Sequence, residues 1–293
     1  MDKRNLLGRI ATCVVFPPLI FCVLYYLNHC NCLIPSAIVF AVALRASKEM
    51  DGILFSIGER RLLPFWLPPL LVVIDWVGIY LGGGYEGLGF FALYSMIVVI
   101  FLVEIFAGSS DDPPYRDSVR RVARTILLVV YPNSFLMIWP EIMNLNENGN
   151  LIFFFMLVLV FSNDVFCYVF GMLFGKGNRG YVKASPNKSL AGYIAGFALT
   201  PLLGCVYVRV FPSVGAYFGS PYVVIGLSLM TALASDIGDI IESVFKRCGH
   251  IKDSGNVIPG RGGMLDNIDS IMASSALFYF FTKAMFSHIS HAL

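Results

Sequence analysis

The stretch Ser235–Ser270 reads SDIGDIIESVFKRCGHIKDSGNVIPGRGGMLDNIDS. It leaves one apolar run along a face of acidic residues, crosses a loop rich in glycine and basic residues, and enters a second apolar run at two aspartates. Carboxylates at a membrane boundary, with basic groups and flexible backbone beside them, indicate a metal ion and a phosphate ester. A short loop of this kind is expected to bring the two helix ends together.

The composition excludes an ordinary soluble domain. Of the 293 residues, 57% are hydrophobic and only 14% are charged, and the mean hydropathy is +0.73. A soluble domain carries about 25% charged residues. The sequence therefore predicts an all-α polytopic integral membrane protein, since the backbone of a lipid-exposed span must satisfy its own hydrogen bonds. No nucleic-acid partner is expected.

Apolar runs predict about nine transmembrane helices, because a span needs about 20 apolar residues. The first five or so form an N-terminal part, 1–150. The catalytic part, 151–293, carries the loops 175–190 and 247–268. The predicted spans cover roughly 7–28, 31–47, 63–82, 87–107, 122–140, 151–174, 191–211, 221–246 and 269–289.

The placement of basic residues predicts the orientation. With these spans, all but two of the 21 lysines and arginines fall in the N-terminus and the even-numbered loops, Arg209 and Lys283 being the exceptions. Loops rich in lysine and arginine stay in the cytoplasm. The N-terminus and the loop 247–268 are therefore expected in the cytoplasm, where nucleotides are found.

One acidic triplet and one acidic pair have helical spacing. Asp236, Asp239 and Glu242 share one face of the eighth predicted helix, and Asp266 and Asp269 lie one turn apart at the start of the ninth. Carboxylates on one face repel each other unless a cation lies among them, and hard oxygen ligands suit magnesium. A water-facing helix end and a helix N-cap remain the alternatives without function.

Basic and polar residues near these acids suggest phosphate binding. Gly262 and Gly263 permit close backbone approach to a phosphate. Candidate anion ligands around this loop are Lys246, Arg247, Lys252 and Arg261. The sixth predicted helix adds Asn163 and Asp164, and the following turn adds Ser185 and Lys188 before a helix N-terminus.

Three motifs together resemble a known family. The segment reads SVFKR at 243–247, KDSG at 252–255 and IPGRGGMLDNID at 258–269. This run is similar to the signature of phosphatidate cytidylyltransferases (CDP-diacylglycerol synthases). The Asn163–Asp164 helix, FGK at 174–176 and the S-P-x-K turn at 185–188 look like a second block of that family. The resemblance covers about residues 160–275 and departs from the family pattern at Arg261, Asn267, Asn187 and Ala191.

The resemblance implies transfer of CMP from CTP to phosphatidic acid, giving CDP-diacylglycerol and pyrophosphate in phospholipid biosynthesis. It implies Mg²⁺ on Asp239 and Asp266 with Asp236 near, and a second cation such as K⁺. Lys252, Asp253 and Asp269 would complete the catalytic set. Substrate contacts would come from Asn163, Asp164, Ser185, Lys188, Ser243, Lys246, Arg247, Arg261, Gly262 and Gly263.

Other functions stay open at this point. The alternatives are a cytidylyltransferase or kinase for another lipid or polyprenol phosphate, a cation-coupled transporter, and an inactive relative. A transporter would place acids in both halves of the chain, whereas here they concentrate near the C-terminus. A bacterial inner membrane is the expected location, with the active site facing the cytoplasm, and a homodimer is an allowed assembly.

Overall fold

The computed structural model describes residues 18–55, 59–85, 87–111, 113–257 and 262–290, with side chains to residue 284. Over these residues the regular structure is helical, with isolated β-bridges such as Arg179–Ser189. The helices are α1 at 18–26, α2 His29–Leu54, α3 Leu70–Leu81, α4 Leu88–Gly108, α5 Ser118–Leu128, a π-helical turn Val129–Ser134, α6 Ile138–Met143, α7 Gly149–Phe174, α8 Leu190–Val210, α9 Pro212–Phe218, α10 Pro221–Cys248 and α11 Leu265–Ser290.

Six helical segments of the described residues are long and apolar enough to cross a membrane. They are His29–Leu54, Leu88–Gly108, Ser118–Met143, Gly149–Phe174, Leu190–Val210 and Pro221–Cys248. These helices indicate a membrane protein and confirm the all-helical class. Nine spans and a cytoplasmic N-terminus remain predictions, and most of the first predicted span lies outside the described residues.

The predicted span 63–82 differs from the observed helix. Only Leu70–Leu81 is helical, a length of 12 residues. The residues before it include Pro64, Pro68 and Pro69, and proline lacks the N–H that continues a helix. At 1.5 Å per residue α3 reaches about 18 Å, short of the roughly 30 Å hydrocarbon core.

The chain forms two compact units. The first comprises Met1–Glu141 and Cys248–Asp266, and the second comprises Ile142–Arg247 and Asn267–Leu293. The glycine-rich loop therefore folds with the N-terminal helices, while most of α11 belongs to the second unit. The division of the chain near residue 150 stays a prediction.

Ion pairs connect the helix ends of the first unit. Arg121 donates to Glu104 at 2.5 Å and also to Asp111 at 2.5 Å, and the Arg121 and Glu104 side chains are 12% and 7% exposed. Arg61 donates from Nε to Asp51 at 2.8 Å. These pairs compensate charges that would otherwise be costly to bury.

Small residues set the packing of α7 against α8 in the second unit. A Cβ on Gly192 would lie 2.5 Å from the carbonyl oxygen of Cys167, so these helices approach at backbone contact. Ser189 caps α8, because its Oγ accepts a hydrogen bond from the Gly192 N–H at 3.2 Å. The start of α8 is thereby fixed directly after the loop that carries Lys188.

Candidate functional site

A cluster of three carboxylates lies between α10 and α11. Asp239, Glu242 and Asp269 each offer an oxygen within 4.8 Å of the others. Glu242 is fully buried and Asp269 is 6% exposed. Gly238 permits this approach, since a Cβ there would lie 2.6 Å from the carbonyl oxygen of Asp269. The helical spacing of α10 and the close approach of α11 together build the cluster.

Two lysines supply countercharge to this cluster. Lys188 forms an ion pair with Asp239, and Lys246 forms one with Glu242 one turn along α10. Burial by itself would lower the pKa of Lys188, but the carboxylate of Asp239 outweighs burial and raises that pKa above its ordinary value. Lys188 is therefore a fixed positive charge at neutral pH.

The acidic face of α10 continues toward α7. Asn163 is fully buried and its Nδ2 donates to Asp236 Oδ1 at 3.2 Å. Ser235 Oγ donates to Asp164 Oδ1 at 3.4 Å, and Cys167 Sγ lies 3.6 Å from Asp236 Oδ1. The structure thus brings the predicted Asn163 and Asp164 of α7 next to the acids of α10.

This cluster fits a hard cation. Its donors are carboxylate oxygens, which magnesium prefers, and two of the three carboxylates are buried, where like charges repel strongly. A divalent cation among Asp239, Glu242 and Asp269 would remove that repulsion. Of the predicted metal ligands Asp239, Asp266 and Asp236, only Asp239 belongs to this cluster. Glu242, on the predicted acidic face, and Asp269, predicted as a catalytic residue, complete it.

A second arrangement, in the first unit, surrounds Asp266. Its Oδ2 accepts hydrogen bonds from Ser254 N at 2.8 Å, Ser254 Oγ at 2.9 Å and Gly263 N at 2.7 Å. Gly262 has φ +92°, a conformation that favours glycine, and a Cβ there would lie 2.6 Å from Asp266 Oδ2. The glycines of this loop therefore allow the backbone to close around the Asp266 carboxylate.

Sequence reasoning missed Glu49. This residue of α2 is 6% exposed and accepts a hydrogen bond from Ser254 Oγ at 2.9 Å. The sequence offers one signal, an acid at the end of an apolar run and four residues after Arg45, because an acid in or near a span needs a partner. Its partner in the loop lies 205 residues away in the sequence, which no local pattern indicates.

The remaining predicted residues divide between the two units. Lys252 and Asp253 are exposed in the loop of the first unit. In the second unit, Ser243 is 7% exposed, and Arg247 Nε donates to the Ala184 carbonyl at 3.4 Å. The predicted substrate residue Ser185 forms the turn that leads to Lys188, whose N–H donates to its carbonyl at 3.2 Å. Arg261 lies outside the described residues.

Fold and site together define a helical membrane protein with a partly buried cluster of three carboxylates, two of which pair with lysines. The chain belongs to the Cytidylyltransferase family, whose profile matches residues 7–285. This family assignment agrees with the resemblance seen in the motifs.

Relatives named phosphatidate cytidylyltransferase align with about half of this chain or somewhat more. The phosphatidate cytidylyltransferase of Bacillus subtilis (strain 168) is 34% identical over 148 residues, 50% of this chain and 52% of the relative. The phosphatidate cytidylyltransferase of Helicobacter pylori is 36% identical over 136 residues, 45% of this chain and 48% of the relative. The phosphatidate cytidylyltransferase of Staphylococcus aureus (strain COL) is 30% identical over 183 residues, 61% of this chain and 65% of the relative. The chain spans about half the length of the first two relatives.

Proposed function

We propose that this protein is a nucleotidyltransferase that moves CMP from CTP to phosphatidic acid, releasing pyrophosphate and forming CDP-diacylglycerol. One observation carries the proposal: a cluster of the half-buried Asp239 and the buried Glu242 and Asp269, with Lys188 and Lys246 paired to it. The relatives described above are phosphatidate cytidylyltransferases, which supports the same reaction.

The proposed reaction joins two anions. An oxygen of the phosphatidate phosphate attacks the α-phosphorus of CTP, a new P–O–P bond forms, and the bond to the β-phosphate oxygen breaks to release pyrophosphate. A phosphate monoester already carries an ionised oxygen at neutral pH, so little general-base assistance is needed. Catalysis then consists mainly of positioning and charge neutralisation.

The carboxylate cluster would hold the catalytic Mg²⁺, with Asp239, Glu242 and Asp269 as the ligands the geometry supports best. When bound, the cation supplies Lewis-acid neutralisation of phosphate oxygens. Asp266, the other ligand predicted from the sequence, already uses its Oδ2 to hold the loop. Its role as a ligand, that of Asp236, and a second cation such as K⁺ remain part of the proposal.

The lysines paired with the cluster would bind the phosphates, together with basic residues at and after the end of α10 in the sequence. Lys188 and Lys246 form ion pairs with Asp239 and Glu242. If the carboxylates bound a cation instead, both ammonium groups would be available to bind a polyphosphate. Arg247 and the exposed Lys252 extend the positive charge along the sequence. A charged site carried by apolar helices suits a lipid substrate, because its phosphate can bind at the site while its acyl chains stay in the bilayer.

The proposed location is the bacterial inner membrane, with the site facing the cytoplasm. Positive-inside loops support that orientation, because the basic loops flank the helices that carry the cluster. CTP is a cytoplasmic nucleotide, so the orientation also matches the substrate. A homodimer remains an allowed assembly.

A transfer assay tests the proposal. It uses the purified protein, Mg²⁺ and phosphatidic acid in mixed micelles, with CTP labelled at the α-phosphate in one reaction and at the γ-phosphate in another. Label from the α-phosphate should enter the lipid, and label from the γ-phosphate should leave as pyrophosphate. Lipid labelled from the γ-phosphate would instead identify a lipid kinase. Transfer to another lipid phosphate but not to phosphatidic acid would reject the substrate, and no transfer would reject the reaction.

A carboxamide variant tests the cluster. Asp239→Asn should lower kcat/KM by at least about 100-fold, because it removes a negatively charged ligand of the proposed Mg²⁺, which would neutralise the reacting phosphates. Asp117→Asn is the matched control, since that side chain is 45% exposed in a surface pair with Arg120. Full activity of Asp239→Asn would contradict the proposed role of the cluster.

A further inference from the structure

We propose that Glu49 is a positioning residue that holds the Asp266 loop in its working conformation from α2. The proposal rests on the proposed function, because it assigns the loop a part in the transfer reaction. Glu49 lies in an N-terminal helix, outside the segment that carries the family motifs. It nevertheless belongs to the same compact unit as residues 248–266.

The carboxylate of Glu49 connects three backbone or side-chain donors. Its Oε2 accepts from Ser254 Oγ at 2.9 Å and from Leu265 N at 2.9 Å, and its Oε1 accepts from Arg45 Nε at 3.0 Å. Leu265 is the first residue of α11, so its N–H has no partner within that helix. A negative charge at a helix N-terminus is favourable. Glu49 therefore fixes both the loop and the start of α11.

Ser254 links Glu49 to Asp266. Its Oγ lies 2.9 Å from Glu49 Oε2 and 2.9 Å from Asp266 Oδ2, yet a hydroxyl donates only one hydrogen. Asp266 Oδ2 keeps two backbone donors in either case, Ser254 N and Gly263 N. The serine hydrogen can therefore go to Glu49 while the loop backbone still holds Asp266. A change at Glu49 is expected to reach Asp266 through this serine.

Glycine backbone covers the Glu49 carboxylate. A Cβ on Gly255 would lie 2.6 Å from Glu49 Oε1, and a Cβ on Gly263 would contact the same carboxylate and Ser254 Oγ. Glu49 is 6% exposed. Loop backbone fills the space beside this acid, so Glu49 acts through the loop and not by contact with substrate.

Three variants separate positioning from other roles. Glu49→Ala removes every acceptor and should lower kcat/KM by about 100-fold, the scale expected for a misplacement of about 1 Å. Glu49→Gln keeps a carbonyl oxygen for Ser254 and Leu265, so its loss should stay within about 5-fold by the same reasoning. Because the Ser254 hydroxyl is one of the donors that Glu49 binds, Ser254→Ala should lower activity less in the Glu49→Ala background than in the wild type.

Loop protection provides a readout independent of activity. Hydrogen–deuterium exchange of residues 252–257 and 262–265 in the purified full chain should quicken at least about 10-fold in Glu49→Ala and stay near wild type in Glu49→Gln. Asp51→Asn is the matched control, because Asp51 lies on the same helix and pairs with Arg61 at 2.8 Å. This control should leave exchange of the loop unchanged.

Several results would overturn the proposal. Equal loss of activity in Glu49→Gln and Glu49→Ala with unchanged loop exchange would point to a direct charge role. Equal loosening of the loop by Asp51→Asn would indicate general destabilisation of α2. An inactive wild type would count against the proposed function alone, since the exchange measurement still decides whether Glu49 holds the loop.

Discussion

Replacement of Lys188 by methionine tests the charge balance of the carboxylate cluster. Methionine keeps a long, flexible side chain and removes the positive charge that pairs with Asp239. Removing one partner of a fully buried pair costs about 3–5 kcal/mol, and an exposed pair contributes at most about 1 kcal/mol. The Lys188 and Asp239 side chains are 25% and 29% exposed, between these limits.

We therefore expect Lys188→Met to lower the free energy of unfolding by about 1–3 kcal/mol in EDTA. At about 2–4 °C per kcal/mol, the melting temperature should fall by about 2–12 °C. Mg²⁺ should recover part of this loss, so the rise in melting temperature on adding Mg²⁺ should be larger in the variant than in the wild type. Transfer activity should fall at least about 10-fold if Lys188 also meets the substrate phosphates.

The pH dependence of the stability difference between Lys188→Met and the wild type follows from the direction of the change in the pKa of Lys188. The folded-state pKa of Lys188 is raised, so the stabilisation is fully present below the unfolded pKa of about 10.4 and is lost only as pH rises through the folded value. The stability difference between variant and wild type should thus be constant between about pH 7 and pH 9.

Melting in detergent can be followed by tryptophan fluorescence, with transfer measured from labelled CTP. Lys176→Met is the matched control, because Lys176 is exposed and enters none of the ion pairs found among the described residues. An unchanged melting temperature in Lys188→Met would refute the energetic role of the pair. An equal Mg²⁺ effect in variant and wild type would refute the cluster as the cation site.

Two further predictions concern stability. Arg121→Met should destabilise the protein by about 3 kcal/mol because it leaves the buried Glu104 without its guanidinium, whereas Arg120→Met, in an exposed pair, should cost less than about 1 kcal/mol. Gly196→Ala should cost about 1–3 kcal/mol, because the new Cβ would lie 2.6 Å from Cys167 Sγ in the helix contact that Gly196 makes. Thermal melting checks both, and unchanged melting temperatures would contradict the described packing.

Helix period and hydropathy made part of the site predictable. Apolar runs predicted helices that the structure has, because the length needed to cross a bilayer and the self-satisfied helix backbone are local requirements. The spacing of Asp236, Asp239 and Glu242 fixed a shared helix face for the same reason. Helix bounds were harder to predict in apolar runs that contain proline, and the predicted span 63–82 is helical only over Leu70–Leu81.

By itself, therefore, the sequence determined the helical membrane class, the acidic face of α10, the basic loops and the family motifs. Only the tertiary structure decided which charges meet: Asp269 joins Asp239 and Glu242, Lys188 pairs with Asp239, and Glu49 holds a loop 205 residues away. The physical reason is range. Helical periodicity acts over a few residues, whereas these contacts depend on close backbone approach between distant segments, which glycines permit and no local pattern encodes.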